Sequence, residues 1–400
     1  MNIKKNIKKI IGKIIRRTYK LLYKHIPVDN KTIIFIAYHG RGYLCNPKYL
    51  HKYLISDEKY KDYKFIWAVK KVKSTNITNA KIIRYNGIKY FYYLARSKYW
   101  IVNCKLPAHI LKKETQVYIQ TWHGTPLKRL AHDIEIAKDA TFYRSKMSKE
   151  EMTNSYDNDV KKYDYLISPN RFATECFKSA FKIDESKIIE TGYPRNDYLT
   201  NITEEEILEI KKKYNIPENK KVILYAPTWR DNKFISKGYI FELKANFKLW
   251  KEKLGDEYVV LFKPHYLIIN NYSDLELEGF LYNISEDEDI NELYVMSDIL
   301  ITDYSSVFFD YATLKKPILF YMYDLEEYKY EIRGFYLDIN KELPGKIFEN
   351  ENMLLNELKH IEEYKESTKE LLESFNKKYN YLQDGFASQK VIDNVLSLRK

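Results

Sequence analysis

Cysteine is scarce. Cys45, Cys104 and Cys176 are the only three in 400 residues and lie far apart. Neither a disulfide framework nor a zinc knuckle can be built from them, and a reducing compartment fits that usage. Long apolar runs are also missing. No stretch of about 18 uncharged apolar residues occurs, which argues against a membrane-spanning helix. Residues 299–323 come nearest, but Asp303, Asp310, Lys315 and Lys316 interrupt them. The phosphate loop GxxxxGKS/T and the dinucleotide fingerprint GxGxxG are absent. No His/Cys/Asp group has zinc spacing. Asp157-Asn158-Asp159 and Asp287-Glu288-Asp289 resemble metal-binding DxD but read as solvated acid clusters in polar loops. No metal site and no cofactor is therefore expected, and dependence on Mg²⁺ stays open.

The first 25 residues contain no acidic side chain but nine basic ones: Lys4, Lys5, Lys8, Lys9, Lys13, Arg16, Arg17, Lys20 and Lys24. Of a net charge of +12, only three units remain for residues 26–400. A nucleic-acid-binding protein carries its basic patch on the folded body, so no nucleic-acid partner is expected. Ile3, Ile7, Ile10, Ile11, Ile14, Leu21 and Leu22 recur at three- and four-residue spacing, which can gather them on one helical face. A basic amphipathic helix reads as an anchor on an anionic membrane surface. The competing reading is a surface helix docked on the protein's own body. Lysines interleave with the isoleucines and no small-residue cleavage site follows, so the segment is not a secretory signal. Residues 1–28 are assigned to this segment, and the chain is placed peripherally on the cytoplasmic face of the cell membrane.

What is present is a folded α/β composition, with 45% hydrophobic and 30% charged residues. Strand-length apolar runs recur at Thr32–Tyr38, Lys64–Val69, Trp100–Asn103, Val117–Thr121, Asp164–Ser168, Lys187–Thr191, Val222–Ala226, Tyr258–Phe262, Asp298–Thr302 and Pro317–Tyr321. Several are continuous rather than alternating, as strands buried on both faces of a parallel sheet are. The segments between them read as helices or loops, which predicts two doubly wound, Rossmann-like domains facing a cleft. Thr203 and Glu206 form a capping box ahead of a charged helix over 203–213. The boundary falls near there, giving domains at 29–200 and 201–400. Residues 384–400 read as a last helix, able to pack back on the first domain.

Six of these strands run into polar turns shaped by proline or glycine. They are Trp122-His123-Gly124-Thr125-Pro126, Pro169-Asn170-Arg171, Gly192-Tyr193-Pro194-Arg195, Pro227-Thr228-Trp229-Arg230, Lys263-Pro264-His265 and Asp303-Tyr304-Ser305-Ser306. Open α/β sheets bind ligands beyond the carboxyl ends of their strands, so these turns are the candidate site. Thr125 suits an N-cap and Pro126 the first helical position. His123 would then sit beside a helix N-terminus, whose dipole favours the neutral imidazole that a general base needs. Lys263 and His265 suit a pyrophosphate. Ser305 and Ser306 precede Val307–Ala312 as a helix start with anion-binding donors. Arg195, Arg230 and Arg333 are further phosphate candidates. Each feature has an ordinary structural alternative: a hydrogen-bonded histidine, plain capping, a surface ion pair.

Taken in order, GlnThrTrpHisGlyThrProLeuLys (120–128), SerProAsn (168–170), ThrGlyTyrProArgAsnAsp (191–197), TyrAlaProThrTrpArg (225–230), PheLysProHis (262–265), IleThrAspTyrSerSer (301–306) and ArgGlyPheTyr (333–336) resemble the CDP-glycerol glycerophosphotransferase family of teichoic acid and capsule synthesis. The resemblance covers roughly residues 30–395 and implies a GT-B-like fold. It also implies transfer of a polyol phosphate from CDP-glycerol to a polyprenyl-diphosphate-linked glycan or polyol-phosphate acceptor, releasing CMP. The family's catalytic base falls on His123 and its second histidine on His265. Donor contacts fall on Gly124, Thr125, Arg195, Thr228, Lys263, Ser305 and Ser306, with Pro126, Pro227 and Asp310 counted beside them. Asp303, Arg230 and Arg333 form an outer group. Many members carry a large additional N-terminal region. A primase, a short polymerase, a CDP-ribitol enzyme and a nucleotide-sugar glycosyltransferase of the same architecture all stay open.

Overall fold

The computed structural model describes residues 2–135, 147–228, 234–235, 238–239, 243–264, 277–285, 287–326 and 334–396. In the first half, β1 (Asp29–Ile36), β2 (Lys64–Val69), β3 (Ala80–Arg84), β4 (Ser97–Val102), β5 (Val117–Gln120), β6 (Tyr165–Ser168) and β7 (Ile188–Glu190) form one sheet in the order β3-β2-β1-β4-β5-β6-β7. Every pairing is parallel. In the second half, β8 (Lys221–Ala226) is followed by a short antiparallel ribbon of β9 (Phe234–Ile235) and β10 (Gly238–Tyr239). Next come β11 (Tyr258–Phe262), β12 (Leu281–Asn283), β13 (Ile299–Thr302), β14 (Ile318–Tyr321) and β15 (Ile347–Phe348). With β8 they form a second all-parallel sheet, ordered β12-β11-β8-β13-β14-β15. Counted from its own first strand, the second sheet reads 3-2-1-4-5-6, the dinucleotide-fold order, and the first reads the same with a seventh strand added at the β6 edge.

Alternation along each buried strand explains the layers. Ile34 and Ile36 enter the core on one face of the first sheet, and Ile33 and Phe35 enter the core on the other. Val222, Leu224 and Ala226 oppose Ile223 and Tyr225 in the same way in the second. A strand covered on both faces needs apolar residues at every position, hence the continuous runs. The ten expected strands are all present within three residues. Those missed are the two-stranded ribbon and β3, β12 and β15, the last three at sheet edges where half-exposed residues break the pattern.

The capping box at Thr203 and Glu206 starts the helix Glu204–Lys213. The last helix begins at Ala387 rather than Asp384. Its start is held by the Asp197 carboxylate, which accepts the Ala387 and Ser388 N–H groups at 2.8 and 2.7 Å. Val391, Ile392 and Val395 then pack into the first half's core, so this helix returns to the first half.

The N-terminal helix spans Asn2–Leu22. Ile15, Tyr19 and Tyr23 turn one face onto the first core, and the Tyr19 hydroxyl donates to the Leu111 carbonyl at 2.7 Å. Ile14, Leu21 and Leu22 are exposed. Among the described residues no helix is long and apolar enough to cross a membrane.

Neither acidic triplet is a solvated cluster. Asp159 is fully buried and accepts from the Tyr118 and Tyr163 hydroxyls and the Leu106 N–H. Asp289 is buried at a helix start and joins the two halves, accepting from Lys48 Nζ at 2.5 Å and the Tyr49 hydroxyl at 2.9 Å. Asp287, paired with Lys71 at 2.5 Å, and Asn158 keep exposed settings. Local sequence cannot reveal a partner about 240 residues away.

Candidate active site

Each sheet reverses its strand order once at its centre, between β1 and β4 and between β8 and β13. The two reversals are stapled alike. Asn103, just past β4, accepts the Tyr38 N–H through Oδ1 at 2.8 Å, two residues past β1. Asp303, just past β13, accepts the Thr228 N–H through Oδ1 at 2.9 Å, two residues past β8. Both acceptors are buried. A strand-end N–H leaving the ladder needs a partner, and these side chains supply it. Asp303 therefore acts on the loop backbone, and it is not among the residues that line the cleft.

His123 follows β5. Trp122 before it adopts a left-handed φ of +50°, a conformation that persists only when its surroundings fix it. Here they do: Asn46 Nδ2 donates to the carbonyls of Thr121 and Trp122 at 3.0 and 3.1 Å, and the Gln120 side chain accepts the Trp122 N–H at 3.0 Å. The bend lays the imidazole on the Trp122 indole, with ring centres 4.6 Å apart, and places Nδ1 2.6 Å from the Asn103 carbonyl oxygen. A carbonyl only accepts. Nδ1 therefore carries the proton and Nε2 keeps its lone pair. Burial pushes His123 down to about 4; Arg195 and His39 add to this and the Asn103 hydrogen bond opposes it.

The helix expected at Thr125-Pro126 does not form. Residues 125–127 are irregular and Lys128 bridges to Phe335. The Tyr336 N–H donates to the Leu127 carbonyl at 2.9 Å, and the Arg129 N–H to that of Gly334 at 3.1 Å. Leu127 sits in the second half's core. Tertiary pairing thus replaces the helix, and burial rather than a helix dipole keeps His123 neutral.

Across the cleft, Ser305 and Ser306 precede the helix Val307–Tyr311, and Ser306 makes no side-chain capping bond. Gly124 faces this turn closely: a Cβ there would stand 3.0 Å from Ser306 Oγ. Lys263 Nζ donates to the Ser285 and Glu288 carbonyls. Two residues expected at the donor pair with each other. Arg195 Nη2 lies 2.5 Å from Asp310 Oδ2, and Nη1 donates to the His123 carbonyl at 2.8 Å. Both residues are buried.

The cleft encloses about 470 Å³. His123, Gly124, Thr125 and Pro126 line it from one side, and Pro227, Thr228, Lys263, Ser305, Ser306 and Asp310 from the other, with Arg195 between them. His265, Arg230 and Arg333 lie outside the described residues. Residues not singled out from the sequence also line it, among them Tyr38, Arg41, Lys128 and Tyr156. Gly40-Arg41-Gly42 follows β1 and could have been found by the strand-end rule applied elsewhere. Arg41, Lys128 and Lys263 give the wall a basic character suited to phosphates.

Comparison with known proteins bears on the family and the fold. A teichoic acid poly(glycerol phosphate) polymerase of Bacillus subtilis is 42% identical over 385 residues, covering 94% of this chain and 50% of that protein; the chain thus spans half that relative's length. The Bacillus spizizenii protein of the same description is 41% identical, and 93% of each chain is covered. A solved structure of the wall teichoic acid polymerase TagF, a histidine variant soaked with CDPG, superposes with TM-score 0.89 at 38% identity, over 98% of this chain and 96% of that one. The family model described as CDP-glycerol:poly(glycerophosphate) glycerophosphotransferase matches residues 18–397, and the chain, with its paired GT-B-like sheets, belongs to that family.

Proposed function

We propose that this protein transfers glycerol phosphate from CDP-glycerol to a hydroxyl of a lipid-linked polyol-phosphate acceptor and releases CMP. The observation that carries the reading is His123, whose Nδ1–H is committed to Asn103 so that Nε2 is free as a base at the cleft. The acceptor oxygen attacks the β-phosphorus. A new O–P bond forms as the bond from that phosphorus to the bridging oxygen breaks, CMP departs with the electron pair, and the acceptor proton passes to Nε2. Lys263 and the Ser305 and Ser306 hydroxyls stabilise the developing charge on the diphosphate. His265 stands as the second catalytic histidine on the family motif. Bound diphosphate raises the basicity of His123, because an anion nearby favours imidazolium. The described glycerol-phosphate relatives support glycerol over ribitol.

The same reading places the chain peripherally on an anionic membrane. The N-terminal helix docks through Ile15 and Tyr19 and still leaves Ile14, Leu21 and Leu22 outward beside Lys13, Arg17 and Lys24. An apolar strip flanked by lysine and arginine suits a lipid interface. Incubation with CDP-glycerol, CDP-ribitol and UDP-sugars, each with a lipid-linked acceptor, tests the assignment. CMP release with CDP-glycerol alone is expected; release of UDP, or CMP from CDP-ribitol only, overturns it.

A further inference from the structure

We infer that the buried Arg195–Asp310 pair is a positioning latch, which holds the turn bearing His123 in register with the turn bearing Ser305 and Ser306, instead of contacting the donor. The inference rests on the transfer reading above.

The connections form a closed circuit. Arg195 Nη1 donates to the carbonyl of His123 itself at 2.8 Å, and Nη2 to Asp310 Oδ2 at 2.5 Å. The other Asp310 oxygen accepts from Asn196 Nδ2 at 2.9 Å. Asp310 lies one helical turn beyond Ser306, so its carboxylate fixes the serine turn from behind. On the opposite side, Asn46 holds both strands of the circuit: Oδ1 accepts the Arg195 N–H at 3.2 Å, and Nδ2 donates to the Trp122 carbonyl. Asn291 Nδ2 donates to the Arg195 carbonyl at 2.7 Å. The Tyr193 hydroxyl donates to the Gly124 carbonyl at 3.0 Å. A phosphate-binding arginine offers its fork to the ligand; Nη1 and Nη2 of this one already serve His123, Cys45 and Asp310, and only the buried Nε has no hydrogen-bond partner among the described residues. A buried ion pair adds little net stability once desolvation is counted, but its fixed geometry specifies how two surfaces meet. Misplacement by about 1 Å can cost roughly a hundredfold in rate, so the benefit belongs to the transfer step.

Removing one partner strands the other as a buried charge, so the test removes both. For Arg195→Met/Asp310→Leu we expect a folded protein, CDP-glycerol affinity within about threefold of the parent by equilibrium binding, and kcat for CMP release lower by about a hundredfold. Arg195→Lys is the second variant. It keeps the charge but cannot fork to both acceptors, and should lose kcat with donor affinity unchanged. The acid limb of the kcat profile separates positioning from simple scaffolding. Arg195 is one of the causes that lower His123, so the limb should move to higher pH in the double variant and stay in place in Arg195→Lys. Donor affinity falling in step with kcat, or kcat unchanged in both variants, overturns the latch. An unmodified protein that releases no CMP from CDP-glycerol would instead sink the transfer reading.

Discussion

Replacing His123 with alanine tests the chemistry most directly. The side chain makes one strong polar contact, Nδ1–H to the Asn103 carbonyl, and stacks on Trp122. Among the described residues nothing else hangs from Nε2, so the loss should fall on proton transfer. A positioned general base contributes about 10²–10⁴ in rate, or about 3–5 kcal/mol of barrier. We therefore expect His123→Ala to melt within a few degrees of the parent, to bind CDP-glycerol normally, and to lose that factor in kcat. The pH profile adds a second, independent reading. Because His123 is pushed down to about 4, it is unprotonated in the free protein above that pH. The acid limb of kcat/KM should then fall near pH 4, where protonation removes the base. The limb of kcat should lie higher, because bound diphosphate favours imidazolium. Both limbs should vanish in the alanine variant. CMP release at saturating and at limiting substrate, across pH 3 to 9, measures both limbs. Retention of more than about a tenth of the parent turnover, or an unchanged acid limb in the variant, refutes His123 as the base.

Replacing Ser305 and Ser306 together by alanine should weaken donor binding by about tenfold or more, since two hydroxyl donors near charge are worth about 1–3 kcal/mol each; calorimetric titration with CDP-glycerol checks it. Deleting residues 1–25, or changing Ile14, Leu21 and Leu22 to serine, should move the protein from anionic vesicles into the supernatant in a flotation assay, and rising salt should weaken the binding of the parent. Lys48→Met leaves Asp289 buried without its cation and should cost about 3–5 kcal/mol of stability by denaturant titration. His51, buried among Phe35, Phe65 and Trp67, is lowered by burial from 6.5 to about 4. The unfolded chain takes up the proton first, so stability should fall as pH drops from about 6.5 to about 4, and His51→Phe should flatten that slope.

The sequence by itself determined the architecture. Strands buried on both faces must be apolar at every position, so runs such as β1 and β8 announced two parallel sheets. The polar turns after them announced a cleft, because open sheets bind ligands at strand ends. The capping box at Thr203 was legible because both partners lie within one turn. Only the tertiary structure decided what depends on distant partners. Asp289 and Asp159 carry the same local signal as solvated acids, and their burial comes from partners as far away as Lys48. Thr125-Pro126 has the chemistry of a helix start, yet inter-domain hydrogen bonds take the backbone groups that a helix would have used. Arg195 and Asp310 fall in separate motifs, 115 residues apart. Their ion pair exists because folding removes both from water, and a charge taken from water must find its opposite wherever the chain brings one.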